Sequence, residues 1–164
     1  MKPLLKLCLV AASVVFGQAL FAQTPAVTSS LAAQRVEMVE GKPVLTPATQ
    51  TKPGDIIEYS GTYRNAGAAS VQKLQAVVPV PVGTTFVAGT AQPAQAQAST
   101  NGISFAPMPL MHMVKQADGT QRQEPVPLAE YRALRWDVGT LAAASNAVVS
   151  LKVRVDSPAI SVKP

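Results

Sequence analysis

Cysteine, histidine and tryptophan each occur once in the 164 residues, and aromatic residues of all kinds make up 5%. A single thiol excludes a disulfide framework and any site built on several cysteines. One imidazole excludes a histidine-rich metal centre and leaves little material for acid–base catalysis. Charge is also scarce, 14% of residues against 48% apolar, so the chain is no charge-rich disordered polymer. Its 14 lysines and arginines never form a consecutive block, and a nucleic-acid partner has no support. The length suits one domain.

What is present begins with a leader. Lys2 and Lys6 precede an apolar run from Leu7 to Phe16 that only Ser13 interrupts. Leu20-Phe21-Ala22 then offers small Ala at the cleavage position, which together make a secretory signal over residues 1–22. Cleavage after Ala19, or retention as an anchor, are the competing readings. Gly17 and Gln18 end the run well short of the ~20 residues that a span requires. Cys8 lies inside the run, behind Lys6 and Leu7, and is not a lipidation site. Removing 1–22 from 164 residues leaves 142 and takes away the only thiol; 12 basic residues remain against 9 acids, net +3. No membrane span is expected after cleavage. Residues 23–33 are small, polar and uncharged and read as a flexible lead-in. A domain over 34–158 and a tail over 159–164 complete the expected organisation.

Within the domain the dominant period is two. Residues 35–40 alternate approximately before Gly41-Lys42-Pro43 turns the chain. Pro53-Gly54-Asp55 launches a strand over 56–64 with Ile57, Tyr59 and Tyr63 on one face. Leu74, Ala76 and Val78 share a face of the next, over 71–78. The prolines of Pro79-Val80-Pro81 stop pairing, and 84–87 resumes it. Residues 91–100, AQPAQAQAST, read as an exposed low-complexity loop, and 103–105 as a short strand. Asp118-Gly119 predicts a hairpin between 111–115 and 120–123. Pro127 opens a single helical turn. Leu134, Trp136 and Val138 alternate with Arg135 and Asp137, and Val149, Leu151, Val153 and Val155 with Ser150, Lys152 and Arg154. Short strands at this spacing, without one ordinary helix, predict an all-β sandwich.

The order of these turns resembles a known family. Pro53-Gly54-Asp55, Tyr63, Asn65-x-Gly67, Pro79-x-Pro81-x-Gly83-Thr84, Gly89-Thr90-Ala91 and Leu134-x-Trp136-x-Val138-Gly139-x-Leu141 follow one another. Over about residues 45–155 this is similar to the domain-of-unknown-function eleven family, the conserved repeat domain of bacterial exported and surface proteins. The resemblance implies an immunoglobulin-like antiparallel β-sandwich with a non-enzymatic role outside the cytoplasm. Only one copy of the unit is found here. Val78 stands where relatives often carry an acid, and Ala142-Ala143-Ala144 where a glycine is common.

Candidate chemistry is sparse. Gly102-Ile103-Ser104-Phe105-Ala106 lacks the second glycine of a nucleophile elbow and leads into no helix. The acids, among them Glu37, Glu40, Asp55, Glu58 and Asp137, are scattered as face or turn residues, and no Asp-rich calcium loop occurs. No catalytic residue and no cofactor is therefore expected. Met108, Met111 and Met113 flank His112. Thioethers suit Cu(I), so a three-methionine copper site is the alternative to simple packing, with His112 pointing away. Trp136, Tyr59, Tyr63, Phe86 and Phe105 are expected in the core. Arg132 or Arg135 is expected to pair with a carboxylate or stack on a ring. The expected function is a structural or protein-interaction module of the periplasm or envelope, or outside the cell. Its partner is another envelope protein that no residue identifies, met at a sheet edge or at the loops of one sandwich end; the composition does not set an oligomeric state.

Overall fold

A computed structural model describes residues 27–158, so the signal-peptide reading of 1–22 and the tail 159–164 lie outside the described residues. The chain is an all-β, antiparallel β-sandwich. One sheet has five strands: β1 (Val27–Val39), β2 (Lys42–Pro47), β3 (Ile56–Asn65), β5 (Thr84–Phe86) and β11 (Asn146–Val155), in the order β2-β1-β3-β11-β5. The facing sheet runs β4-β10-β6-β7, from β4 (Val71–Pro79), β6 (Gln97–Ser99), β7 (Ala106–Pro107) and β10 (Ala133–Leu141). β8 (Met111–Lys115) and β9 (Gln121–Pro125) form a separate hairpin.

Alternation decides the faces. Ile57, Ala76, Val78, Leu134, Trp136, Val149, Leu151 and Val153 are buried between the sheets, with Tyr59 and Tyr63 packed at the margin. Trp136 also donates its indole N–H to the Pro93 carbonyl at 2.6 Å, so its one polar atom is satisfied inside the core. Gly61 sits mid-strand because Val78 comes across from the other sheet; a Cβ there would stand 3.2 Å from Val78 Cγ2. Phe86 stacks on Tyr131 with centroids 6.0 Å apart.

Two buried polar groups tie the ends together. Asn65 is wholly buried. Its amide nitrogen donates to the carbonyls of Ala69, Leu141 and Ala142 and its oxygen accepts from Gly67 N–H. It thereby joins the β3–β4 turn to the β10–β11 turn. Tyr131, which patterning did not place in the core, accepts from Leu110 N–H at 2.9 Å. Leu110 and Val126 are both buried and hydrogen-bond through their backbones, so this contact pins the base of the β8–β9 hairpin. The hairpin itself forms as expected, Met113 opposite Gln123, and a 3₁₀ turn covers Leu128–Glu130.

Phe105, expected in the core, is only half-buried and lies outside it, and three expectations about strands and loops fail. Residues 27–33, expected within a flexible lead-in, are strand: Val27 pairs Asn65 and Ala33 pairs Tyr59. From Thr28 to Ala33 every residue is exposed. Backbone hydrogen bonds hold this stretch rather than burial, so no hydrophobic pattern announces it. Residues 91–100 are an exposed loop only over 92–95. Gln97–Ser99 lies inside the second sheet, and Ala91, Ala96, Ala98 and Ser99 are buried, where only small side chains fit. The strand expected at 103–105 is absent; pairing falls at Ala106–Pro107 instead.

Candidate functional site

Several of the acids hold ion pairs or turns. Arg35 pairs with Glu37 and, at 3.9 Å, with Asp55; Lys152 meets Glu58 at 3.5 Å across β11 and β3. Asp55 also accepts from Lys52 N–H, and Asp137 from Gly139 N–H. Asp118 accepts from the Thr120 hydroxyl and backbone N–H, and those bonds hold its carboxyl below the ordinary value of 3.8. Ser104 lies in the β6–β7 loop, its N–H donating to Asn101 Oδ1. His112 lies exposed on β8 opposite Glu124. No group of three His, Cys, Asp or Glu able to hold a metal occurs among the described residues.

The basic–aromatic segment Tyr131–Trp136 turns inward. Tyr131 and Trp136 are core residues, and Arg132 donates to the carbonyls of Ala129 and Tyr131. Arg135 stacks its guanidinium over Phe105, 4.4 Å from the ring centroid, and donates to Gln97 Oε1 at 2.5 and 3.2 Å. The expected ring stacking is thus found. Beside it a groove of about 540 Å³ crosses the outer face of the second sheet, lined by Gln75, Gln95, Gln97, Arg135 and Asp137. Its lining sets three glutamine amides beside the Arg135 guanidinium, the Asp137 carboxylate and apolar Pro107 and Met108.

The methionines divide. Met108 is half-buried against the core and shares a cavity of about 250 Å³ with Phe86, Leu128 and Tyr131. Met111 and Met113 lie on one face of β8, 44% and 60% exposed. Packing therefore accounts for Met108 alone.

The three most exposed large apolar side chains lie at one end of the sandwich. Val36 of β1 pairs Ile56, Ile56 pairs Arg154, and Arg154 pairs Thr85, while Ala133 aligns with Pro79 and Ser99 in the other sheet. Beyond that level project the β1–β2 hairpin tip, the β4–β5 turn and the β6–β7 loop. They carry Met38 at 68%, Val82 at 87% and Ile103 at 82% exposure. The turns are fixed. Thr84 donates both its N–H and its hydroxyl to the Pro81 carbonyl, and Gly83 supplies the positive φ of 81° that a type II turn requires at its third position. Ser99 Oγ accepts from Asn101 and Gly102 N–H, and Asn101 Oδ1 accepts from Ile103 and Ser104. Sequence reading marked Pro79-Val80-Pro81 as a stop to pairing and placed a strand at 103–105. It did not show that the β4–β5 turn and the β6–β7 loop open toward the same end, since that depends on how the strands are ordered.

No helix among the described residues is long and apolar enough to cross a membrane. No family profile, no curated protein and no solved structure matches this chain.

Proposed function

We propose that the chain is exported and works as a non-catalytic β-sandwich module of the periplasm or cell envelope, with a structural or protein-interaction role. The observation that carries this is the pair of hydrogen-bonded turns holding Val82 and Ile103 in solvent. A side chain on a fixed turn has little freedom left to lose on contact, so an apolar residue there binds at low entropic cost. Turn chemistry itself does not call for Val or Ile at these positions. Export rests on Lys2, Lys6 and the run from Leu7 to Phe16. Kinship with the domain-of-unknown-function eleven family rests on the order of Pro53-Gly54-Asp55, Asn65-x-Gly67 and Pro79-x-Pro81-x-Gly83 along the sequence.

A photo-crosslinking residue placed at Val82 or Ile103 in intact cells should yield a discrete adduct with another envelope protein. The same residue at exposed Thr120, on the β8–β9 turn, should not. No adduct from either position would remove the reading. The copper alternative keeps one supporting observation, the exposed pair Met111 and Met113. Competition of Cu(I) against a chelator decides it: the expected result is no stoichiometric uptake. One-to-one uptake lost in the Met111→Leu/Met113→Leu variant would establish copper binding instead.

A further inference from the structure

A strand at the border of a sheet presents unpaired N–H and C=O groups, and proteins ordinarily obstruct such borders with proline, charge, bulges or shortness. Most borders of this sandwich are obstructed. β2 carries Lys42, Pro43 and Pro47. On β4, Lys73 takes a positive φ of 57°, and the Tyr63 hydroxyl accepts from Val77 N–H and donates to Val77 C=O at 2.8 and 2.9 Å. β7 has two residues, one of them Pro107, and β5 has three.

Two stretches are not obstructed: Asn146–Val149 of β11, beyond the Gln92–Ser150 bridge, and, longer, the first half of β1. β3 pairs with it from Val27 to Val36, but β2 pairs only from Gln34 onward, where Pro47 is the last partner. Along Val27–Ala33 no strand among the described residues occupies the other side. The segment reads Val-Thr-Ser-Ser-Leu-Ala-Ala, with no charge, no proline and no glycine. We propose that this border is a homodimer interface, in which β1 of a second copy pairs antiparallel with Val27–Ala33 and joins two five-stranded sheets into one.

The second copy fits for three reasons. An antiparallel pair of identical strands is two-fold symmetric, so both partners offer and fill the same border. With the axis at Ser30, Ser29 lies beside Leu31 of the other copy, Thr28 beside Ala32 and Val27 beside Ala33; no charge meets a like charge. The space beside β1 ends at Pro47, opposite Gln34, and a seven-residue strand of about 24 Å at ~3.4 Å per residue fills it. The arrangement also has a geometric consequence. Val27–Ala33 pairs with Tyr59–Asn65, away from the apolar loops, and antiparallel pairing sends the two loop ends in opposite directions. The dimer is a two-ended connector.

Sedimentation equilibrium of the exported protein across a hundredfold concentration range tests this. The expected mass is twice that of one chain at the upper end. Ser30→Lys, which sets two ammonium groups at the axis, should give one chain throughout with an unchanged circular dichroism spectrum. Ser30→Cys should form a disulfide-linked dimer on mild oxidation, whereas Gln121→Cys on the β8–β9 hairpin should not. A wild-type chain that stays single at every concentration, or a Ser30→Lys variant that remains double, overturns the proposal. Should Ser30→Lys fail to fold, the cysteine pair decides: no Ser30-specific crosslink also overturns it. The loops at the far end are untouched by these changes, so crosslinking from Val82 and Ile103 succeeds or fails separately.

Discussion

At the scale of single residues, the molecule depends on a few side chains that do two things at once. Trp136 fills the space between the sheets and satisfies the Pro93 carbonyl. Trp136→Ala should therefore cost about 3–5 kcal/mol in urea unfolding. Lys152, on the outer face beside Glu58, makes only a partly solvated ion pair at 3.5 Å, and Lys152→Ala should cost about 0.5 kcal/mol or less. Equal losses would contradict the facing of β10 and β11. Asn65 is a sharper case. Asn65→Ala leaves the carbonyls of Leu141 and Ala142 without their side-chain donor and Gly67 N–H without its acceptor. An expected loss of about 2–4 kcal/mol follows from stranding buried polar groups, and Asn65→Asp should not restore it because a carboxylate has no N–H to give. The Asn-x-Gly signal showed only that a strand ends here. That one amide binds two turns 76 residues apart in sequence is a property of the assembled sandwich.

At the scale of elements, legibility followed burial. Strands with one buried face, β3, β4, β10 and β11, announced themselves by alternation, and Asp118-Gly119 announced the β8–β9 hairpin. That hairpin has its own pH signature. Thr120, through its hydroxyl first and its backbone N–H second, lowers the Asp118 pKa from 3.8. A carboxyl whose folded value is depressed contributes stability above its ordinary value, and that contribution is lost as pH falls through the lowered one. Carboxyl titration by NMR should place the Asp118 midpoint below 3.8, and Thr120→Val should return it toward that value. An unchanged midpoint in the variant would mean that the turn is held otherwise. β1 and β6 were not legible, for opposite reasons. The first half of β1 has neither face covered, so its composition is free to look like a linker. β6 buries only Ala98 and Ser99 and turns Gln97 to the outer groove, and such small and amide residues look like low complexity.

At the scale of the whole molecule, the export reading makes a direct prediction. The intact mass of the exported protein should lack residues 1–22, ending the leader after Ala22; a mass that includes them would make the segment an anchor. What the sequence determined by itself was the class of fold, because period-two alternation is a local property that each strand carries with it, and the poverty of chemistry, because one histidine and one cysteine are a matter of counting. What only the tertiary structure decided was which residues meet. Val82 and Ile103 come from loops about twenty residues apart, and Met38 from a third. Strand order alone brings all three to one end of the sandwich. The open border of Val27–Ala33 was equally invisible, since an edge is defined by the strand that is not beside it. Strand pairing is a non-local hydrogen-bonding choice, made by backbone groups that every residue but proline shares, and so side-chain pattern says little about where a sheet stops.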